Sequence, residues 1–249
     1  MAMQKQKLEF GAWEPDAAKY EGRQACEAKN VLPTKRGYKA MPAMAELMQY
    51  PPLDGRVLGG ITVKSTDGTV ITVASTSTGI YALEQVDNVH TWVQKLSGTP
   101  VSDNRDFALY GNSIYALYGR TLYKSDIGGS TVSAFTEVTA APHGETLTVV
   151  QDFLCIGRLD DHANGIHWSA IDDPTSWPAI GTSEAANKQS DIQIFPDGGK
   201  VQAVTGGLSS SVTSIVFLDR AIYLATYVGV PYIFQFSPIE RSRGLLAPK

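Results

Sequence analysis

His167, Ser169 and Asp172 lie close together and carry the groups a nucleophilic triad uses: a base, a hydroxyl and an orienting carboxylate. On a strand, however, His167 and Ser169 project side by side from one face, and no third group is placed to orient the imidazole. No Gly-x-Ser-x-Gly turn exposes a serine. Asp160-Asp161-His162, with His167 nearby, combines carboxylates and imidazole of the kind that hold divalent ions. The same run, Asp-Asp-His-Ala-Asn-Gly, also has the composition of a polar hairpin loop, and this is the reading adopted. A glycosidase needs two carboxylates facing each other across a cleft. Asp160-Asp161 and Asp172-Asp173 fall instead in expected turns. The residues therefore predict no catalytic group, no metal site and no cofactor, and the chain is read as a non-enzyme.

The element that positions His167 and Ser169 is a strand. Ile166, Trp168 and Ala170 alternate with His167, Ser169 and Ile171, the two-residue period of a pleated chain. Pro174 removes a donor and fixes φ, and Asp173 can close an Asx-turn on its own downstream backbone, so the strand stops there. Trp177 follows closely enough to fold back over it. Trp168, Asp173, Pro174 and Trp177 are thus expected to brace the rim of a larger β structure. Trp13, Trp92, Trp168 and Trp177 could stack on sugars, but a Trp beside a strand end more often anchors packing with its N–H on backbone. Tyr110, Tyr115, Tyr118 and Tyr123 read as cross-strand packing, with a subunit interface as the second option.

The whole chain fits this setting. Its 249 residues are 43% hydrophobic and 18% charged, enough apolar content for a sizeable core and against disorder. The net charge is −4, and Lys35-Arg36 and Arg241-Ser242-Arg243 are the compact basic spots, so a phosphate-gripping face is not expected. Cys26 and Cys155 lack metal or disulfide spacing and suit a reducing compartment. Lys5, Lys7 and Glu9 interrupt any export signal after Met1, and no apolar run reaches membrane-spanning length. A soluble protein made in the cytosol is the expectation.

Composition divides the chain into an N-terminal arm, 1–55, and a β domain, 56–249. In the arm, Leu8 to Asp16 reads as extended, and Glu21 to Asn30 and Met41 to Tyr50 as short helices, the second ended by Pro51-Pro52. Beyond it, short β runs fall into four groups. They begin at Val57, Phe107, Leu147 and Val201, each an apolar strand, a tight polar turn and a second strand rich in Ile, Tyr and Leu. Phe107 to Leu117 and Ile215 to Ala225 show the same pattern. Four-stranded groups recurring roughly every 40–50 residues are the signature of propeller blades. The fold expected is all-β and β-propeller-like, with an extended and helical N-terminal arm; a β-sandwich is its rival. On the residues alone, a soluble propeller that binds glycans or acts as a hydrolase is an alternative function.

Three segments in order resemble one family: Phe10 to Asp16 with Glu27 to Pro33 and Arg36-Gly37-Tyr38; Ile166 to Trp177; and Phe234 to Phe236 with Ile239 to Arg241 and Arg243-Gly244. They look like the tail-hub (nozzle) proteins of short-tailed bacteriophages, also called packaged-DNA stabilisation proteins. The resemblance implies a virion structural protein with a propeller core, assembled in the host cytoplasm. It implies a homo-oligomeric ring, a hexamer, below the portal and adaptor, around the channel through which the genome leaves. No membrane contact is expected, since no run is long enough to span one, and DNA would pass such a ring without being gripped, since like charge lets a polyanion slide. Family members continue past the Arg-Gly motif, so the resemblance implies an incomplete propeller: a fragment of a longer protein, which is the favoured reading, a chain whose missing blades come from elsewhere, or a reduced member. Phe10, Trp13 and Tyr38 in the arm are the first candidates for an inter-subunit or portal-side contact, followed by Arg241 and Arg243.

Overall fold

The computed structural model describes residues 11, 27–34, 37–43, 50–99, 105–207 and 213–247. The chain divides into two units, Met1–Met48 and Gln49–Lys249. In the first, β1 (Val31–Thr34) and β2 (Gly37–Ala40) form an antiparallel hairpin, with Val31 opposite Ala40. The Met41 N–H donates to the Asn30 carbonyl at 2.9 Å and closes its base. Residues 27–30 and 41–43 are not helical, contrary to the two helices expected there; the remainder of those helices and the Leu8 to Asp16 segment, Gly11 apart, lie outside the described residues. Val31 and Tyr38 prefer a pleated chain to a helix.

The second unit consists of four antiparallel meanders in series. The first is β3 (Gly59–Lys64), β4 (Val70–Ser75), β5 (Gly79–Val86) and β6 (Val89–Ser97). The second is β7 (Arg105–Tyr110), β8 (Ser113–Tyr118) and β9 (Thr121–Gly128), with the short strands β10 (Thr131–Val132) and β11 (Thr136–Glu137) both on β9. The third is β12 (Thr146–Val150), β13 (Phe153–Gly157), β14 (Gly165–Trp168) and, after helix α1 (Ser183–Asn187), β15 (Asp191–Ile194). The fourth is β16 (Val201–Gly206), β17 (Ser214–Leu218), β18 (Ile222–Gly229) and β19 (Ile233–Glu240).

Tight polar turns set these registers. At Asp87-Asn88 both residues have positive φ, 50° and 63°, the conformation of a two-residue hairpin loop that Asn and Asp tolerate. The second strand of the third sheet is buried on both faces: every residue of Phe-Leu-Cys-Ile-Gly in β13 is buried, so its run is apolar throughout. The outer β6 alternates half-buried and exposed residues, as a wetter edge should.

The sheets pack face against face through three apolar cores. Ile71, Val73, Ile80 and Ala82 of the first sheet meet Ile114, Ala116 and Tyr118 of the second. Tyr115, Leu117 and Leu122 meet Leu147, Leu154 and Ile156 of the third. Phe153, Cys155 and Trp168 meet Val216, Tyr223 and Phe234 of the fourth. First strands are spatial neighbours, β3 beside β7, β7 beside β12 and β12 beside β16. Glycine permits the close approach: a Cβ at Gly59 would lie 2.8 Å from that of Arg105, and one at Gly206 would overlap the Val149 carbonyl. The buried Glu84 carboxylate pairs with Lys95 Nζ at 2.8 Å, and its Oε1 also accepts the Val132 N–H at 3.0 Å, which ties the first sheet to the second.

The all-β expectation and the grouping into four-stranded meanders describe what forms. A two-sheet sandwich does not. Closure into a propeller is not shown: among the described residues no comparable contact links β16 back to β3. The third sheet's outer strand, β15, and helix α1 were not expected from the sequence. Strand β14 ends at Trp168, two residues before the predicted Ala170.

Candidate functional site

The Gly165 to Trp177 stretch folds as a rim on the third sheet. Beyond β14, Ala170 bridges back to Asp173, and the Ala170 N–H donates to the Ser176 carbonyl at 2.9 Å. Asp173 Oδ1 accepts from the Thr175 N–H and hydroxyl at 3.1 and 2.7 Å, an Asx-turn. Trp177 is buried, and its Nε1–H donates to the Pro174 carbonyl at 3.0 Å. The Trp168 indole donates to the Gln189 carbonyl at 2.9 Å, which ties the rim to the end of α1. Trp168, Asp173, Pro174 and Trp177 are therefore joined through backbone carbonyls and one turn rather than through a cavity.

His167 lies edge to face against Trp177, ring centroids 5.2 Å apart, with its Nε2 buried and unpartnered. Burial pushes its pKa down to about 4, so the imidazole is neutral near pH 7. Ser169 is fully buried; its Oγ accepts from the Leu154 N–H at 3.1 Å and donates to the Ala170 carbonyl at 2.9 Å. Asp172 is exposed, with a positive φ of 56°. A serine committed to two backbone groups has no hydroxyl left for attack, so this trio builds no nucleophile. The free thiol of Cys155 is buried, which pushes its pKa up and makes it inert.

The polar groups that converge do so at another place, where the first strands begin. Arg120 Nη2 meets Glu145 Oε1 at 2.6 Å, and Arg158 Nε meets Glu145 Oε2 at 3.0 Å. Arg158 Nη1 reaches Gln202 Oε1 at 3.4 Å, and Gln202 Nε2 donates to Asp219 Oδ1. Asp219 Oδ2 accepts the Lys200 N–H at 2.8 Å. Burial acts to raise the Asp219 carboxyl, but hydrogen bonds from Gln202 and Lys200 and the Arg158 charge outweigh it and hold the group below the usual range. This ionic belt crosses from the second sheet through the third to the fourth. Asp160 joins it through Arg120 Nη1 at 2.8 Å, with His143 3.7 Å away. The Asp160-Asp161-His162 run is thus a loop carrying one end of a salt-bridge network. Among the described residues no group of three or more His, Cys, Asp or Glu side chains is arranged so that it could hold a metal ion.

Sequence reasoning missed the belt because its members are far apart in the chain. The available signal was positional: Arg120, Glu145, Arg158 and Asp219 each sit at the end of a predicted strand. The tyrosines are packing residues. Tyr110 stands edge-on to Tyr115, and Tyr118 lies beneath Arg105 at 4.2 Å, with its hydroxyl on the Gly98 carbonyl at 2.7 Å. Trp92 donates to the Pro51 carbonyl at 3.0 Å. Of the interface candidates, Phe10 and Trp13 lie outside the described residues. The Tyr38 hydroxyl donates to the Gly11 carbonyl at 3.5 Å within the arm. Arg241 and Arg243 are exposed just past β19, where the Glu240 carboxylate accepts the Arg241 and Ser242 N–H groups at 2.9 and 2.7 Å.

No helix among the described residues is long and apolar enough to cross a membrane. The chain matches no protein-family model and no curated protein.

Proposed function

We propose that this chain is a structural protein of a phage tail, its four meanders being blades of a β-propeller that assembles as a ring around the DNA exit channel, below the portal and adaptor, and helps retain packaged DNA. The observation that carries the reading is the serial array itself. Its sheets pack through apolar cores, its first strands run side by side, and its polar convergence is a salt-bridge belt that holds sheets together. Support also comes from the open face of the fourth sheet. Ile215 pairs with Leu224 and Phe217 with Ile222 on the face opposite Val216 and Tyr223; all four are half-buried and outside the three cores. Apolar rows of this kind are made for cover by further structure. The resemblance of Phe10 to Tyr38, Ile166 to Trp177 and Phe234 to Gly244 to tail-hub proteins names the class of assembly. In this reading the arm, with Phe10, Trp13 and Tyr38, is the first candidate for an inter-subunit or portal-side contact.

The mass of the purified chain in solution tests the proposal. A species of several copies, a hexamer in the closest analogy, is expected. A single chain at every concentration would contradict it.

A further inference from the structure

The four meanders share one direction. Gly59, where β3 begins, lies against Arg105, where β7 begins, and the Leu147 N–H at the start of β12 donates to Asp106 Oδ2 at 2.9 Å. The Val201 N–H at the start of β16 donates to the Ala163 carbonyl in the β13–β14 loop at 2.9 Å. At the opposite end, Gly206 meets Val149, and the Tyr110 hydroxyl donates to the Asp152 carbonyl at 2.9 Å. The unit therefore has two chemically distinct ends: a starting end, where first strands begin, and a far end, where they finish.

Exposed charge is divided unevenly between them: the starting end carries arginines beside the exposed carboxylates Asp54, Asp161 and Asp197, and the far end is mostly carboxylate, with Lys64 exposed among it. Every arginine of residues 49–249 lies at the starting end. Arg120 and Arg158 are held in the belt, but Arg56, Arg220, Arg241 and Arg243 are exposed and make no ion pair. The far end has no arginine among the described residues. It exposes Asp67, Asp87, Asp152, Asp172 and Asp173, while Lys188 there is engaged by Glu184 at 2.9 Å. Both ends also offer apolar side chains to solvent: Val89, Val230 and Tyr232 at the far end, with Tyr232 76% exposed, and Val57 and Leu246 at the starting end. An end that offers unpaired guanidinium groups and an end where exposed carboxylates outnumber the ammonium of Lys64, each seeded with apolar groups, are surfaces of complementary character on the same molecule.

We propose that copies of this chain meet head to tail, the arginine-bearing starting end of one against the aspartate-bearing far end of the next. Such a heterologous contact closes into a ring when its rotation divides a full turn. The inference rests on the ring-forming reading above and assigns that ring its interface.

Two variants of the full chain test it. One replaces the starting-end charges, Arg220→Glu, Arg241→Glu and Arg243→Glu. The other alters the far end, Asp152→Arg and Tyr232→Ser. Matching circular dichroism and thermal unfolding would show both folded; the milder pair, Gln at the three arginines and Asp152→Asn, replaces any variant that fails this. By light scattering after size exclusion, wild type should assemble and weaken about tenfold or more in affinity at roughly 0.5 M salt. Each variant alone should run as a single chain. Their equal mixture should give a two-chain species and nothing larger, because one intact starting end meets one intact far end and the outer ends are blocked. Assembly of either variant alone, or a mixture that stays monomeric, would overturn the assignment of the interface to these two ends and leave the ring reading standing. Wild type that remains a single chain would overturn the ring reading, and this inference with it.

Discussion

Acid should loosen this fold through one residue, His167. Its ordinary pKa is 6.5, and burial against Trp177 lowers it to about 4 in the folded chain. Between those values the unfolded chain binds a proton that the folded chain refuses. Stability is therefore whole above pH 6.5 and is lost as pH falls toward 4. Integrated across that window, the loss is about 2 kcal/mol from pH 7 to pH 5 and about 3 kcal/mol by pH 4. His167→Phe removes the proton while keeping a ring against Trp177. Asp126 and Asp219 are held below the usual carboxylate range and stay ionised at pH 5, so the comparison at that pH isolates the histidine. Urea unfolding of wild type and variant at pH 7 and pH 5 measures it. The variant should lose about 2 kcal/mol less than wild type over that interval. Equal losses would refute the claim that a neutral, buried imidazole sets the acid limit.

Trp177→Ala removes a buried ring and the Pro174 hydrogen bond, and should cost about 3–5 kcal/mol by chemical unfolding; less than about 1 kcal/mol would show that the rim is not a brace. Glu145→Gln leaves the Arg120 and Arg158 guanidinium groups facing each other, and should lower stability by about 1–3 kcal/mol, narrowing at high salt. A salt-independent change would argue against an ionic belt. Cys155 should resist a thiol reagent until the domain unfolds, as read by peptide mapping; labelling of the native protein at the unfolding-independent rate of a small thiol would contradict its burial.

Much of the β domain was legible because its signals are local. Alternation and tight turns mark Val70 to Ala74, Ser113 to Tyr118 and Phe153 to Ile156, and those strands form nearly as read. The Asx-turn at Asp173 and the fold-back of Trp177 were legible for the same reason, since that chemistry acts within three residues, although the strand itself ends earlier, at Trp168. Strand β15 was not, because Asp-Ile-Gln-Ile is a four-residue edge whose strand character comes from pairing with β14. Helix α1 is shorter than two turns and is held by the Thr182 cap and by Trp168 on Gln189, contacts that no periodicity announces. The ionic belt needed the packing of three sheets before Arg120, Glu145 and Arg158 could meet. The division of charge between the two ends becomes visible only once all four meanders are known to run in the same direction.

The most direct test of the tail-hub account is an electron image of the purified full chain. The account predicts a ring of several copies with an open centre. A population of compact single particles without a central opening would contradict it.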